Sequence, residues 1–430
     1  MVSRRQFLHG SALAAAAIPG IPLIAIDAPK ETSCKPLPAS IAALTSWKDK
    51  ARPITSDERR VRLDKARRLM VENKLDAIML TTGTSLNYFT GIKWWGSERL
   101  FATLIPAKGE PFFVCPAFEQ DRAQEQISNG PLAKAEILLW PEDESPYQRI
   151  AQGLRDGGIV TGTLGVEETT PFVFSQGVSF TAPQLTLASA TPVTAGCRMI
   201  KDAHEVELMR LAAKVTLAAY EATYRALREG MSQNDVADLV AAAHRQLGFE
   251  GEADVQVGQY SALPHGSRTP QIIRNGTILL MDGGCKVEGY TSDITRTYVL
   301  GKATDKMKRV FDVVHRAQSA ALATARPGTS CEVVDAVARN VISDAGFRPV
   351  YKYFTHRVGH GMGMDGHEWP YLVHGNTLPL APNMVFSDEP GIYIRGEFGV
   401  RLEDDMHITE NGAELFTAQS PSLEQPFGAI

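Results

Sequence analysis

The stretch Met281-Asp282-Gly283-Gly284-Cys285-Lys286-Val287-Glu288-Gly289-Tyr290-Thr291-Ser292-Asp293-Ile294-Thr295-Arg296-Thr297 decides how the C-terminal half is read. An apolar strand, 277–281, runs into Asp282, and a β-branched run follows Tyr290. Residues 286–289 can turn between them, so the segment reads as a β-hairpin. Folded about the 287/288 bond, it sets Asp282 opposite Asp293. Directly opposed side chains on antiparallel strands lie about 4.5–5.5 Å apart at Cβ. Two bare carboxylates that close repel, so either one takes a proton or cations sit between them. Two divalent ions roughly 3.5–4 Å apart fit such a gap.

A second stretch repeats the device. Ser387-Asp388-Glu389-Pro390-Gly391 leads through Arg395-Gly396-Glu397 to Val400-Arg401-Leu402-Glu403. Folding about Gly396 sets Glu389 opposite Glu403. For one pair alone, solvated acids on a polar sheet face are the plainer reading. Two hairpins carrying the same pair favour metal. Between the two hairpins, four of the ten histidines, His356, His360, His367 and His374, fall within nineteen residues. Glycines between them let backbone approach a site closely. A lone histidine is more often structural; four so close indicate a site.

Working outward, 430 residues exceed one ordinary core and imply two domains plus an appendage. Hydrophobic residues at 44% and charged residues at 22% are ordinary globular composition. A net charge of -5 argues against a nucleic-acid partner, because phosphate binding wants a basic face. Asp57-Glu58-Arg59-Arg60 opens a helix that Asn73-Lys74 ends. Strand-like runs at 76–80, 101–105, 111–115 and 135–139 alternate with helical patterns, an α/β domain over 56–197. Over 198–430 the helices expected are 203–228, 234–247 (N-capped by Ser232), 304–326 and 331–346. Strands cluster at 275–300 and 384–409. That grouping implies an α+β domain, an antiparallel sheet covered by helices.

Ser3-Arg4-Arg5-Gln6-Phe7-Leu8 and the Ala-rich run after it resemble a twin-arginine export signal over 1–28. The expected location is periplasmic or secreted; a chance basic start or an uncleaved anchor is the alternative. Pro19 and Pro22 break the run early, so no spanning helix and no lasting membrane insertion are expected. Residues 29–55 read as a linker able to fold onto the body. The five cysteines form no CxxC pair and read as small buried hydrophobes. That suits a chain folded in a reducing compartment before export.

The two acid hairpins and the histidine run, in this order, resemble the creatinase, aminopeptidase P and prolidase group, and within it the bacterial Xaa-Pro dipeptidases. Leu86-Asn87-Tyr88-Phe89-Thr90-Gly91 resembles the N-terminal domain of the same group. The resemblance implies a pita-bread catalytic domain behind a creatinase-type α/β domain. It implies two divalent metal ions held by Asp282, Asp293, His360, Glu389 and Glu403. Four carboxylates and one imidazole make a hard site that suits Mn²⁺ and tolerates Co²⁺ or Zn²⁺. It further implies that Glu389 accepts the proton of the attacking water, and that His265 and His367 contact substrate and stabilise the oxyanion. His356 and Arg401 resemble residues lining a proline pocket, with Arg401 also orienting Asp282. Tyr393 either joins them or packs in the core.

The implied reaction is hydrolysis of the bond preceding proline in a proline-containing peptide. The expected substrate is an Xaa-Pro dipeptide; the alternative is an aminopeptidase P acting on longer peptides. No arginine lies between Glu368 and Glu389, where some prolidases carry one. Against that, the Gly366–Val373 run and the compact 395–399 turn look like the dipeptidases. Trp94 and Trp95 occupy a region that reaches the partner's site in related dimers, so a homodimer is expected; local packing is the other reading. A metal-free creatinase-type hydrolase or a binding module on this fold would be expected to have lost ligands, and all five are here.

Overall fold

A computed structural model describes residues 36–428. The export signal expected over 1–28 lies outside them. Six strands form the first sheet: β1 (Ala77–Leu80), β2 (Ala102–Pro106), β3 (Phe112–Pro116), β4 (Glu136–Trp140), β5 (Gly162–Val166) and β6 (Leu185–Ser189). Their order is β4-β3-β2-β1-β5-β6. β2 pairs antiparallel with both neighbours, and the other pairings are parallel. Every residue of β1, β2 and β3 is buried, which is why these strands read as unbroken apolar runs. The helix Ser56–Glu72 starts at a capping box in which Thr55 and Glu58 satisfy each other's backbone N–H; such a cap is worth about 1 kcal/mol.

The second half holds two antiparallel sheets. The first contains β7 (Glu250–Val257), β8 (Ile278–Val287), β9 (Tyr290–Thr291) and β10 (Ile294–Val299), in order β10-β8-β7 with β9 on β8. Then follow β11 (Gly359–Gly361), β12 (Glu368–Leu372), β13 (Val385–Asp388), β14 (Gly391–Ile394), β15 (Phe398–Arg401), β16 (Asp404–Ile408) and β17 (Ala413–Leu415). β12-β11-β13-β16-β17 form the second sheet, and β14-β15 a separate hairpin. Helices Ala203–Ala226 and Gln233–Leu247 pack on the first sheet, Asp305–Thr324 and Cys331–Asp344 beside the second. One bridge, Thr295 to Glu403, stitches the two sheets together. Leu63, Ala66 and Met70 share a core with Met209, Ala213 and Val287, so the two halves of the chain pack as one body.

Two expectations change. The first hairpin does not fold about the 287/288 bond. Val287 pairs with Tyr290, so Glu288 and Gly289 are the two turn residues. Both have positive φ, 49° and 91°, the signature of a two-residue turn whose twist matches the strands. Asp282 therefore faces Thr295, not Asp293. Second, β7 was not expected: Glu250, Glu252 and Asp254 give it low strand propensity, and pairing along all of its length with β8 overrides that. The stretch read as a linker lies against the body from residue 38 on. Ile41 is fully buried, Ser40 Oγ donates to Ala222 O (2.8 Å), and Trp47 N–H donates to Leu247 O (2.8 Å). Cys115, Cys197, Cys285 and Cys331 are buried free thiols. No helix among the described residues is long and apolar enough to cross a membrane.

Candidate metal centre

The second hairpin behaves as its symmetry about Gly396 requires. Val385 to Asp388 pair with His407 to Asp404, and Gly391 to Ile394 pair with Arg401 to Phe398. One register runs through both ladders, so Glu389 and Glu403 stand opposite each other where the strands change sheets. In the first hairpin, Lys286–Thr291 and Asp282–Thr295 also share a register. Ser292 and Asp293 lie between β9 and β10, outside the ladder. Gly284 makes room for this step: a Cβ there would lie 1.8 Å from Ser292 O. Asp293 thus meets Asp282 diagonally, still within side-chain reach.

The five side chains converge. Ligand atoms of Asp282, Asp293 and Glu403 lie within 4.8 Å of one another, as do those of His360, Glu389 and Glu403, and those of Asp293, His360 and His367. His360 Nδ1 faces Gly361 O at 3.2 Å, so it carries the proton. Its Nε2 lone pair then faces Glu389 Oε1 at 3.3 Å and Asp293 Oδ2 at 3.8 Å. A lone pair aimed at carboxylate oxygens needs either a proton on one of them or a cation between them.

The electrostatics point the same way. Burial, then the Asp282 charge, pushes Asp293 up to about 8. Burial, Asp293 and Asp282 push Glu389 up to about 8, against the pull of Arg401. Glu403 is raised well above the carboxylate range by burial and by Asp293, Glu389 and Asp282. Burial, then His367, lowers His360 to about 3, so the imidazole is neutral and free to ligate. Two divalent cations would relieve the crowding of the acids, and the donor set fits them.

Around this cluster the remaining expected residues fall into a chain. Arg401 Nη2 donates to Asp282 Oδ2 (2.5 Å) and Nη1 to Tyr393 Oη (2.9 Å). Tyr393 Oη meets His356 Nε2 at 2.7 Å, and His356 Nδ1 meets Arg357 O at 2.8 Å. Tyr393 therefore joins the polar network although it is buried. Burial, then Arg401, lowers His356 to about 3, so it accepts from Tyr393 as a neutral ring. His367 is exposed and stacks on His360 with centroids 3.7 Å apart. His265 is exposed in the loop beside Pro264, whose carbonyl accepts from Arg401 (3.2 Å). His374 is exposed beyond β12 and belongs to none of these groups. Trp94 is buried on Phe101 (4.1 Å), while Trp95 is 62% exposed under the Arg122 guanidinium.

Two residues were missed. Thr295 Oγ1 accepts from Arg401 Nε (3.1 Å) and sits 2.9 Å from Asp282 Oδ1 and 2.6 Å from Glu403 Oε2. Ser387 Oγ accepts from His360 N–H (3.0 Å) and reaches Glu389 Oε1 (3.2 Å). Both orient ligands from behind. The correct register would have revealed Thr295, since it stands opposite Asp282.

The metallopeptidase family M24 matches residues 207–410, and the creatinase/prolidase N-terminal domain matches 62–200. The chain is 32% identical over 370 residues to the Xaa-Pro dipeptidase of Lactobacillus delbrueckii subsp. lactis, covering 84% of this chain and 98% of that protein. The crystal structure of dipeptidase PepE from Mycobacterium ulcerans matches with a TM-score of 0.81 and 32% identity, over 87% of this chain and 99% of that one. The X-Pro aminopeptidase from Thermotoga maritima matches with a TM-score of 0.71 and 28% identity, over 84% and 99%. A pita-bread catalytic domain behind a creatinase-type domain, and a donor set for paired cations, place the chain in the M24 metallopeptidase family.

Proposed function

We propose that the chain is a two-metal Xaa-Pro dipeptidase. One observation carries the reading: Asp282, Asp293, His360, Glu389 and Glu403 bring ligand atoms together in overlapping groups 4.8 Å across. The oxygen-rich donor set supports Mn²⁺ as the working metal, with Co²⁺ or Zn²⁺ as substitutes. Bound there, such ions supply hydroxide near neutral pH and a polarised scissile carbonyl. The protein's own groups do the rest. Glu389 takes the water's proton and passes it to the proline nitrogen. His367 and His265 line the open side, where they donate to the oxygen that gains charge. Arg401 holds Asp282 in place, and His356 and Tyr393 wall the space beside Glu389.

Dipeptides are preferred in this reading because the Lactobacillus and Mycobacterium relatives, both 32% identical, are named dipeptidases, whereas the aminopeptidase is 28% identical. The arginine pair at the N-terminus supports export by the twin-arginine route. The exposed Trp95 supports a homodimer in which this ring meets a second copy; sedimentation at two concentrations tests it. For the activity, the test compares an Xaa-Pro dipeptide with an Xaa-Pro-Yaa tripeptide, first after chelation and then with Mn²⁺ restored. The expected result is no cleavage without metal and faster cleavage of the dipeptide with it. Preference for the tripeptide would make the enzyme an aminopeptidase P, and chelator-insensitive cleavage would remove the metal mechanism.

A further inference from the structure

Among the described residues, the His367 side chain has no hydrogen-bond partner. It stands on the loop 362–367 between β11 and β12, and its ring touches the cluster by stacking on His360. A stacked, exposed ring is free to slide unless its backbone is fixed. Gly363 and Gly366 in the same loop leave that backbone intrinsically loose. The fixing comes from side chains at the junction of the two domains, with Thr84 on the first. Arg198, at the end of helix Thr191–Arg198, donates from Nη2 to Asp365 Oδ2 (2.5 Å) and to Glu368 Oε2. Lys201 Nζ donates to Glu368 Oε1 (3.0 Å). Thr84 Oγ1 donates to Asp365 Oδ1. The two acids bracket His367, one two residues before it and one directly after.

The clamp is balanced, and dry at Glu368. Two cations meet two acids; the Lys201 side chain is 1% exposed, Glu368 8% and Arg198 13%, while Asp365 at 42% faces solvent. Charges so buried hold fixed geometry, because any displacement leaves one of them unpaired. Gly363 closes the arrangement: a Cβ there would lie 2.4 Å from Glu368 Oε1. From the other side, Thr291 N–H donates to Gly363 O (2.7 Å), tying the loop to the hairpin that carries Asp293.

We propose that Arg198 and Lys201 are positioning residues that hold His367 in register with the metal cluster through Asp365 and Glu368. The junction between the two domains thereby sets the geometry of catalysis. The inference rests on the role given to His367 above.

The test is a double-mutant cycle in the metal-loaded full chain. Misplacement by about 1 Å can cost up to about a hundredfold in rate. Arg198→Gln and Lys201→Met are each expected to lower kcat on an Xaa-Pro dipeptide by about tenfold or more, with KM within about twofold and bound metal unchanged. Arg198→Lys should recover part of the loss. In a His367→Ala background the same substitutions should cost less than about twofold, since what they position is gone. Equal losses with and without His367, or full activity in Arg198→Gln, would overturn the proposal. Should Arg198→Gln fail to fold, Thr84→Val removes one bond of the clamp. A loss of about threefold that disappears without His367 supports the clamp; no loss, or one that persists, overturns it. The His367 imidazole signals in Zn²⁺-loaded protein give a reading independent of turnover. They should shift in Arg198→Gln and not in Arg52→Gln, and an unmoved signal overturns the proposal even if no peptide is cleaved. Failure of the dipeptidase reading is distinct: the unsubstituted chain would then cleave no Xaa-Pro dipeptide with any metal.

Discussion

The two acid hairpins reach the same end by opposite means. The hairpin about Gly396 keeps one register through both of its ladders, and its two glutamates face each other as a direct result. The hairpin about Glu288-Gly289 keeps its register too, yet that register points Asp282 at a threonine. Asp293 joins the cluster only because the chain leaves the ladder at Ser292, where Gly284 gives it room. The difference teaches that a metal site can be built from ideal pairing or from a local break in it. In the second case the residue at the opposed position becomes a support. Thr295 is that support, and it also bridges the two sheets.

The largest expected effect comes from removing a ligand in either hairpin. Asp293→Asn and Glu403→Gln should each lower kcat by about a thousandfold or more, since each strips a charge from the metals that activate the water. Elemental analysis should show fewer bound ions in both. Normal activity in Asp293→Asn alone would mean that the broken ladder does not serve the site. Next comes the support itself. Thr295→Val should cost roughly 10–100-fold in activity or metal affinity, the usual scale for groups that orient ligands. Thr295→Ser should keep most of it.

A pH series follows. Without metal, folding holds Asp293 and Glu389 near 8, against ordinary values of 3.8 and 4.5. Between about pH 6.5 and 8, where His356 and His360 are neutral in both states, the folded metal-free chain thus binds more protons than the unfolded one, and its stability falls as pH rises through that window. Cations replace those protons, so the stabilisation by Mn²⁺ should grow over the same range. The melting temperature of chelated protein should drop from about pH 6.5 to pH 8, and added Mn²⁺ should raise it more at the higher pH. A chelated protein whose melting temperature does not fall would contradict the crowding of the acids. The smallest effect separates the turns. Gly289 (φ 91°) would place a Cβ 3.1 Å from Met364, whereas Gly396 (φ 81°) has open space. Each alanine forces a left-handed residue, at about 1–2 kcal/mol. Gly289→Ala should lie at the upper end and Gly396→Ala at the lower in denaturant unfolding.

How much was legible follows from the same contrast. The acids, the histidines and the α/β-then-α+β order were readable because residue type and period carry them. Glu389 opposite Glu403 was readable because a lone glycine marks the centre of the turn. The first hairpin was misread by one residue per strand because three candidate turn positions lie side by side, and only backbone geometry selects Glu288-Gly289. Strand β7 was hidden by its acids, which a sheet accepts once β8 pairs with it. Thr295 and Ser387 were hidden because a hydroxyl has no spacing of its own; its partner makes it visible.

The most direct measurement is a titration of chelated protein with Mn²⁺, following bound metal and Xaa-Pro dipeptide cleavage together. The account predicts two ions bound per chain and activity that appears as they fill. A chain that binds none, yet cleaves the dipeptide at full rate, would contradict it.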